Sequence, residues 1–476
     1  MPTARTTPHR APGGQPHVIV GDGITALAFL ETCLSRDMDH IVVLGRTASQ
    51  LGRGAAYAKG VPGTAWRYAY LLNSPADDID PKFAAWLAEH WPDVTAKMQG
   101  RSPDWLGAAA PLVDQGDLFG VNAPREFYGD FMEAQAQAII AQLKARGCVV
   151  TCRDETVVVM EPAEDAITLT TDSGQRLAAA SVDVAPGGPA TLRIDGDERP
   201  FSAPSVFGHE ARIAEHIRAG AEIFCIGGNA AMLDVLRLCQ SLVPERALRF
   251  VACAPDGEVP APLIPRLPRK LTVPQLSAGH PTARSFLDKV RREIDRAHAA
   301  GDEMREIRAG FRAHFLHTPL SHYVPDRGEA RQVPLTLRLW LRGGTRDTIL
   351  DLHRLIREGR ARLVHGFVEQ VMAQADGAEV LVRDPSGRVS GHRTGFVVNC
   401  AGAGPTSAYD PLTEDMLAQG LLSRAATGGL KVGPGCRAGA AAVRYLSPAV
   451  SEIGDEVIAM PLYDAHMLRS YVARSG

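Results

Sequence analysis

The chain has 476 residues, of which 45% are hydrophobic and 22% are charged, and its net charge at neutral pH is −3. This composition excludes extensive disorder and collagen-like repeats, and the balanced charge gives no general attraction for nucleic acid or for an acidic membrane surface. At about 150 residues per domain, the length allows two large domains or three smaller ones. No apolar run approaches the roughly 18 residues of a membrane span.

The N-terminal stretch over 1–16 carries arginines and prolines but no apolar core. We therefore expect a flexible tail, not a secretory signal, and a cytoplasmic protein. In that compartment the eight cysteines are expected to be thiols, and no CxxC pair suggests a redox dithiol.

The first informative segment follows the tail. An apolar strand at 17–20 leads into Gly21-x-Gly23, apolar residues then recur at helical spacing, and a second apolar strand covers 41–44. Strand, glycine turn, helix and strand in this order are typical of a dinucleotide-binding βαβ unit. Gly21 permits the tight turn, Gly23 lets a pyrophosphate approach the backbone, and Ala26 allows the helix to pack closely on the strand.

The acid that usually binds the adenosine ribose at the end of the second strand is missing, because Gly45 and Arg46 stand there. Either the ribose is held differently, with Arg46 as a candidate contact, or the first site is atypical. A glycine-rich turn in another kind of α/β sheet is the alternative interpretation.

A second unit of the same kind occurs later in the chain. A strand at 221–226 leads into Gly227-Gly228-Asn229, and a helix and a further strand at 248–252 follow. Here the glycine pattern is less complete, since Asn229 replaces a glycine.

An internal repeat strengthens this pair of units. After each unit come hairpin strands and then an apolar strand that ends in a glycine turn, at 182–188 in the first half and at 396–404 in the second. Gly187 and Gly402 in these turns allow a close approach of the backbone to a cofactor. The repeat predicts an α/β fold with two Rossmann-like dinucleotide-binding domains, one split around the other.

Charge-rich helices are predicted between these units, at 284–300, 302–314 and 335–358. Acids and bases alternate along them, so we expect solvated faces with salt bridges and no polyanion site.

Three short motifs then occur in a specific order. They are Leu51-Gly52-Arg53-Gly54-Ala55-Ala56-Tyr57, Leu71-Leu72-Asn73-Ser74-Pro75-Ala76 and Pro124-Arg125-Glu126-Phe127-Tyr128-Gly129-Asp130-Phe131. In this order they resemble a family of bacterial FAD/NAD(P)-binding proteins. The third motif is also similar to the Pro-Arg-x-Glu-Phe segment of flavin-dependent amine N-hydroxylating monooxygenases, although here the glutamate follows the arginine directly.

The resemblance implies a two-dinucleotide flavoprotein. Its FAD-binding domain would comprise 17–205 and 396–476, around an NAD(P)-binding domain with a helical insertion at 206–395. Asn73 and Arg53 would be the catalytic candidates near the flavin ring. The residues implied to contact FAD are Gly21, Gly23, Ala26, Gly52, Arg53, Arg125 and Tyr128.

The nicotinamide nucleotide would bind at Gly227 and Asn229. Family analogy favours NADPH, with NADH as the alternative. The residues themselves are divided, since Asp256 suits a free ribose hydroxyl, whereas Arg266, Arg269 and Lys270 suit a 2′-phosphate.

The resemblance implies an NAD(P)H-dependent monooxygenase that uses molecular oxygen to hydroxylate a small amine or amino acid. Asp77 and Asp78 follow Asn73 and would hold the ammonium group of the substrate, because acids in a cleft attract a cation. The alternative is that Asp77, Asp78 and Asp80 form the polar start of the helix that runs from Pro81 to His90, where acids are expected in any case. A flavin dehydrogenase or oxidase, or a non-catalytic nucleotide-binding protein, are the alternative functions.

Overall fold

The computed structural model describes residues 14–60, 70–163, 166–188, 200–264, 266, 270–402, 407–460 and 465–474. Most of the expected tail, the turn residues 403–404 and Arg269 lie outside these ranges. Within the described part of the chain, no helix has both the length and the apolar character needed to cross a lipid bilayer.

The helices and strands alternate along the chain. The strands are β1 (His17–Val20), β2 (His40–Gly45), β3 (Val149–Asp154), β4 (Val157–Pro162), β5 (Ile167–Thr171), β6 (Arg176–Ala179), β7 (Ser181–Val184), β8 (Ser202–Ala203), β9 (Ile223–Ile226), β10 (Phe250–Ala254), β11 (Ala261–Leu263), β12 (Gly343–Thr345), β13 (Ala361–His365), β14 (Phe367–Gln374), β15 (Gly377–Arg383), β16 (Val389–Thr394), β17 (Phe396–Asn399), β18 (Ser423–Arg424), β19 (Leu430–Val432), β20 (Arg437–Ala438), β21 (Ala440–Tyr445), β22 (Val450–Ile453) and β23 (Glu456–Val457). The α-helices are α1 (Ile24–Thr32), α2 (Ala76–Ile79), α3 (Pro81–Glu89), α4 (Trp91–Met98), α5 (Pro103–Asp114), α6 (Arg125–Ala145), α7 (Glu210–Arg218), α8 (Ala230–Leu242), α9 (Ala283–Ala299), α10 (Met304–His317), α11 (Leu320–Tyr323), α12 (Arg327–Ala330), α13 (Val333–Trp340), α14 (Arg346–Arg357), α15 (Pro411–Ala418) and α16 (Ala465–Arg474).

The first sheet has the strand order β20-β21-β7-β1-β2-β3. Its strands are parallel except for β20, which pairs antiparallel with β21. β1 and β2 are almost continuous apolar runs, and their apolar residues are buried, as is usual in parallel sheets. Since β20 and β21 come from the C-terminal part of the chain, the first domain is built from two distant segments, which confirms the predicted split.

The second sheet has the order β13-β10-β9-β17-β8, and all of its pairings are parallel. Two parallel sheets with helices packed on them confirm the predicted pair of Rossmann-like domains. The hairpin groups of the repeat are also present, as the antiparallel sheets β4-β5-β6 and β14-β15-β16.

The sheet pairing differs from the expected domain limits at 205/206 and 395/396. Both β8 and β17 belong to the second sheet, where β17 lies between β9 and β8. The internal repeat explains this position, because β17 pairs with β9 as β7 pairs with β1. The strand that we expected to begin the last segment therefore completes the middle one.

The charge-rich segment is helical, but the helix expected over 335–358 is interrupted. β12 lies between α13 and α14, because Gly343 and Gly344 pair with β11. The segment docks on the C-terminal part of the chain, where Arg327 and Arg331 bind the fully buried Glu452 at 2.5 and 2.9 Å.

A buried carboxylate links the two segments of the first domain. Asp183 on β7 accepts two hydrogen bonds from Arg444 on β21, at 2.7 and 2.6 Å, and its Oδ2 lies 3.0 Å from a ring nitrogen of His17. Burial alone would raise the pKa of Asp183, but the hydrogen bonds from His17 and Arg444 hold this pKa below its ordinary value. The carboxyl group is therefore ionised at neutral pH and neutralises Arg444.

We expect Asp183→Asn to destabilise the protein by about 3–5 kcal/mol at neutral pH, because it leaves the Arg444 guanidinium buried without a counter-charge. The pKa of Asp183 is depressed in the folded state, so its contribution is present above the unfolded pKa of about 4 and is lost as the pH falls through the folded value. The difference in thermal midpoint between wild type and variant should therefore be large at pH 7 and shrink below pH ~4.

The control for this comparison is Asp172→Asn, which changes an exposed aspartate in the turn after β5. Its midpoint should match the wild type throughout. A wild-type-to-Asp183→Asn difference that stays constant down to pH ~3 would contradict the ionic role of Asp183.

Candidate functional site

The glycine turn after β1 has the geometry of a nucleotide cradle. Gly21 has φ +119°, and a Cβ at this position would lie 2.0 Å from the carbonyl oxygen of Ala185, so only glycine fits. Gly23 is the N-cap of α1 and brings no side chain to the helix start, which leaves the first N–H groups available to an anion. Ala26 is fully buried where the helix packs on the sheet.

The turn after β9 repeats this arrangement. Gly227 has φ +99°, and a Cβ here would lie 2.7 Å from the carbonyl oxygen of Cys400. Asn229 is the N-cap of α8 in an extended conformation, and its side chain makes no capping hydrogen bond. Both turns are cradles that a Cβ would fill, and both fit the pyrophosphate of a dinucleotide.

Backbone hydrogen bonds match between the two cradles. The N–H of Gly21 donates to Leu44 at 2.7 Å, and that of Gly227 donates to Cys253 at 2.8 Å. In each domain, a carbonyl group of the strand that carries the cradle also accepts an N–H from the neighbouring strand on the other side, at 2.7 Å. The donor is Ala185, directly after β7, in the first domain and Cys400, directly after β17, in the second. The repeat is therefore reproduced at the level of single backbone contacts.

The absence of an acid at position 45 has a steric cause. A Cβ on Gly45 would lie 2.9 Å from the Cβ of Asp22. The carboxylate of Asp22 accepts hydrogen bonds from the backbone N–H and the hydroxyl of Thr47 at 2.7 and 2.9 Å, so it lies at the end of β2. Asp22 thus brings an acid to this place from the glycine turn, whereas Arg46 is exposed and stays a predicted contact.

The described contacts of Arg53 are with protein groups, and its expected contact with the flavin stays a prediction. Arg53 is buried, and it forms ion pairs with Asp130 and with Glu133 on α6, the latter at 2.6 Å. A Cβ on Gly129 would lie 2.6 Å from the Arg53 guanidinium, so this glycine makes room for it. Gly52 has the same structural reason, because a Cβ there would lie 2.7 Å from the carbonyl oxygen of Met132.

Arg125 and Tyr128 also contact other protein groups. Arg125 donates to Asp234 of the second domain at 2.8 Å and stacks over the ring of Phe207 at 5.3 Å. Tyr128 is buried against Phe83, with ring centroids 4.9 Å apart. These contacts tie both residues into the protein, and their expected contact with FAD stays a prediction.

Asn73 lies where the two domains meet. Its Oδ1 is buried and has no hydrogen-bond partner among the described residues. Gly344 lies between this oxygen and α8, because a Cβ on Gly344 would be 3.9 Å from the oxygen and 2.5 Å from the side chain of Leu233. Asn73 is therefore close to the helix that begins at the second cradle. A buried acceptor without a donor fits an N–H group of a ligand.

Asp77 and Asp78 lie in α2, opposite a cation of the helical segment. Arg305 of α10 is 2.9 Å from Asp78 and 3.9 Å from Asp77, and only 5% of its side chain is exposed. The expected attraction for a cationic substrate is therefore at least partly cancelled by this guanidinium. Asp80 begins α3 by accepting the N–H of Lys82 at 2.9 Å, as the alternative interpretation predicted.

The two glycines of the later turns have positive φ angles, +98° for Gly187 and +78° for Gly402. A Cβ on Gly187 would meet no atom within 4 Å, so the space beside this turn is open. Their predicted contact with a cofactor stays a prediction.

One contact at the second cradle was not visible in the sequence. Arg342 donates to Asp256 at 2.9 Å and to the carbonyl oxygen of Glu258 at 2.7 Å, just beyond the end of β10. Arg342 and Asp256 are 86 positions apart, and the pairing of β11 with β12 brings them together. No local pattern indicates such a pair.

Comparisons with known proteins agree with this architecture. Residues 18–189 match a family model described as FAD-NAD(P)-binding, which confirms the expected resemblance over this part of the chain. No curated protein sequence matches the chain.

Three solved structures have a similar fold. The FAD-bound cadaverine monooxygenase of desferrioxamine biosynthesis from Erwinia amylovora has a TM-score of 0.55 and 13% identity, over 96% of this chain and 93% of that chain. The ornithine N-hydroxylase of Kutzneria sp. 744 has a TM-score of 0.50 and 14% identity, over 97% of both chains. The reduced ornithine hydroxylase of Pseudomonas aeruginosa has a TM-score of 0.50 and 16% identity, also over 97% of both. The chain thus has an FAD/NAD(P)-binding oxidoreductase fold.

We expect Gly23→Val to abolish flavin binding without loss of folding. A Cβ at this position meets only the Cα of Gly54, at 3.7 Å, so the fold accepts it, but the added methyl groups occupy the space over the start of α1. The measurement is the ratio of flavin to protein in the purified variant, together with its thermal midpoint.

Gly107→Val on the exposed face of α5 is the control, because a Cβ there meets no atom within 4 Å. It should keep the flavin content of the wild type. A Gly23→Val protein with full flavin content would remove the first cradle from the FAD site.

Proposed function

We propose that the protein is an FAD-dependent oxidoreductase that uses NAD(P)H and molecular oxygen to hydroxylate a small amine or amino acid. The observation that carries the proposal is the pair of equivalent glycine cradles. Beside the helix of the second cradle lies a buried oxygen of Asn73 to which no described residue donates. Support for the reaction comes from the motif order at 51–57, 71–76 and 124–131. The similar fold of the cadaverine and ornithine hydroxylases is consistent with it.

The chain's own groups hold the cofactors through the backbone. Gly21, Gly23 and the start of α1 would bind the FAD pyrophosphate, and Gly227 with the start of α8 would bind that of the nicotinamide nucleotide. The flavin, when bound, supplies the redox and oxygen-transfer chemistry. Asn73 would accept a hydrogen bond from an N–H group at this place and so orient the bound ring system.

The substrate proposal rests on the charges around Asn73. Asp77, Asp78 and Arg305 are paired with one another and together carry both signs. A zwitterionic amino acid can exchange its two charges with this group, whereas a diamine would leave Arg305 without a counter-charge. An amine has an unperturbed pKa of roughly 10 and must lose its proton before it attacks oxygen, so the site must lower this pKa by desolvation.

Oxygen uptake decides between this function and its alternatives. Amino acids, diamines and uncharged aromatic compounds are added in turn to the flavin-loaded protein with NADPH or NADH. Hydroxylated amine formed in step with oxygen consumption is the expected result. Flavin reduced by a substrate without NAD(P)H would instead favour a dehydrogenase or oxidase, and no flavin reduction by any compound would favour a non-catalytic protein.

We expect Arg342→Gln to weaken NADPH binding about 10- to 100-fold relative to NADH, because a charged hydrogen bond is worth about 1.5–3 kcal/mol. The 2′-phosphate of NADPH would take the place of Asp256 on this guanidinium. The measurement is the dissociation constant of each nucleotide. Asp256→Asn should shift the preference in the opposite direction, and an unchanged preference in both variants would contradict this assignment.

Asn73→Leu should have opposite effects on the empty and the loaded protein. Without ligand, the variant removes a buried acceptor that has no partner among the described residues, which costs about 1–3 kcal/mol, so its thermal midpoint should equal or exceed that of the wild type. With FAD and NADP⁺ added, the rise in midpoint should be smaller than in the wild type. A variant that is equally stabilised by the cofactors would exclude Asn73 from their binding.

A further inference from the structure

A cluster of buried charges joins the two dinucleotide-binding domains. Asp234 on α8 is fully buried, and its carboxylate accepts hydrogen bonds from Arg125 at 2.8 Å and from Arg237 at 3.1 Å. Arg125 is the first residue of α6 in the first domain, whereas Asp234 and Arg237 lie on the helix that begins at the second cradle. The hydrogen bond between Arg125 and Asp234 therefore joins the two domains.

Further hydrogen bonds extend the cluster on both sides. Arg237 donates to the hydroxyls of Thr345 and Thr348 at 2.7 and 2.8 Å, and Thr345 in turn donates to the carbonyl oxygen of Leu72 at 3.3 Å. Arg125 also donates to the carbonyl oxygen of Leu71 at 3.4 Å. The segment that leads to Asn73 is thus tied to α8 and to the start of α14.

Burying such a cluster between two domains costs desolvation free energy. Burial raises the pKa of Asp234 and lowers that of Arg237, and the charges are maintained only because they are paired. Well-packed apolar residues in place of a buried ion cluster are often as stable or more stable. Apolar contacts, however, lack the directed fork geometry with which a guanidinium fixes a carboxylate.

We propose that Arg125, Asp234 and Arg237 are positioning residues that hold α8, and with it the nicotinamide nucleotide, at one orientation to the FAD-binding domain. This inference rests on the proposed function. Hydride transfer needs reacting atoms about 3–3.5 Å apart, and a misplacement of about 1 Å costs roughly 100-fold in rate. The cluster acts on this geometry through α8, which carries Asp234 and Arg237 and begins at the second cradle.

The test replaces the cluster by apolar residues of similar size, as Arg125→Met, Asp234→Leu and Arg237→Met together. Stopped-flow absorbance gives the rate of flavin reduction at saturating NADPH, and a titration gives the NADPH dissociation constant. We expect the rate to fall at least tenfold while the dissociation constant and the flavin content change less than threefold. A purely structural role would lower flavin content or stability and leave the rate of the loaded protein unchanged.

Domain orientation is measured independently of activity. Spin labels are attached at Gln142→Cys on α6 and at Arg357→Cys on α14, two exposed positions in different domains. Cys152→Ser is included because the other seven cysteines are buried. The distance distribution should broaden or shift in the apolar variant and stay narrow in the parent.

Two further variants keep the test decisive. Arg125→Met leaves Asp234 paired with Arg237 and should show a smaller loss of rate, so it replaces the triple variant if that protein does not fold. Arg362→Met removes an ion pair with Glu222 inside the second domain and should leave the rate and the distances unchanged.

The outcomes separate this inference from the proposed function. A reduction rate within twofold of the wild type, or an unchanged distance distribution in the cluster variants, overturns the inference. A wild-type protein that neither NADPH nor NADH reduces overturns the proposed function. In that case the distance measurement alone decides whether the cluster fixes the domains.

Discussion

The paired hydrogen bonds between Asp183 and Arg444 are the contact on which the first domain depends. They join strands from two segments that are 261 positions apart, with the whole second domain inserted between them. Because both groups are largely buried, neither can be left without the other, so the C-terminal segment has one favourable place beside β7. Once β21 is paired there, the sheet that carries the first cradle is complete, and the cradle has a fixed neighbour in the turn after β7.

A close backbone contact explains why glycine is required at equivalent places in the two domains. In each, the turn after the first strand must pass against the residue that follows a neighbouring parallel strand, and the contact is too close for a side chain. Gly21 meets Ala185 in this way, and Gly227 meets Cys400. The conformation that brings backbone N–H groups toward a pyrophosphate is therefore also the one that packs the sheet. Cofactor binding and folding use one set of positions.

The βαβ units, the split of the first domain and the hairpin groups could be predicted from the sequence, because apolar periodicity and glycine turns are local signals. The roles of charged side chains could not. Arg53 and Arg125 stand in motifs that suggest cofactor contact, yet each binds an acid, Glu133 in one case and Asp234 in the other. Which acid a guanidinium meets depends on the tertiary fold. Only the backbone part of the site, the two glycine turns, is determined by residues that are adjacent in the sequence. The same reason hid Arg342.

These observations change the physical picture of the site. Arg53 and Arg125 are both paired with protein carboxylates, and we expect helix starts and backbone N–H groups to hold the two pyrophosphates. The charged side chains serve instead to set distances: Arg53 fixes a loop to α6, and Arg125 fixes α6 to α8. A site built in this way discriminates by geometry more than by charge. Its chemistry then depends on how rigidly the two cradles are held relative to each other. The buried carboxylate of Asp234 contributes to this rigidity, because it joins α8, which begins at the second cradle, to Arg125 of the first domain.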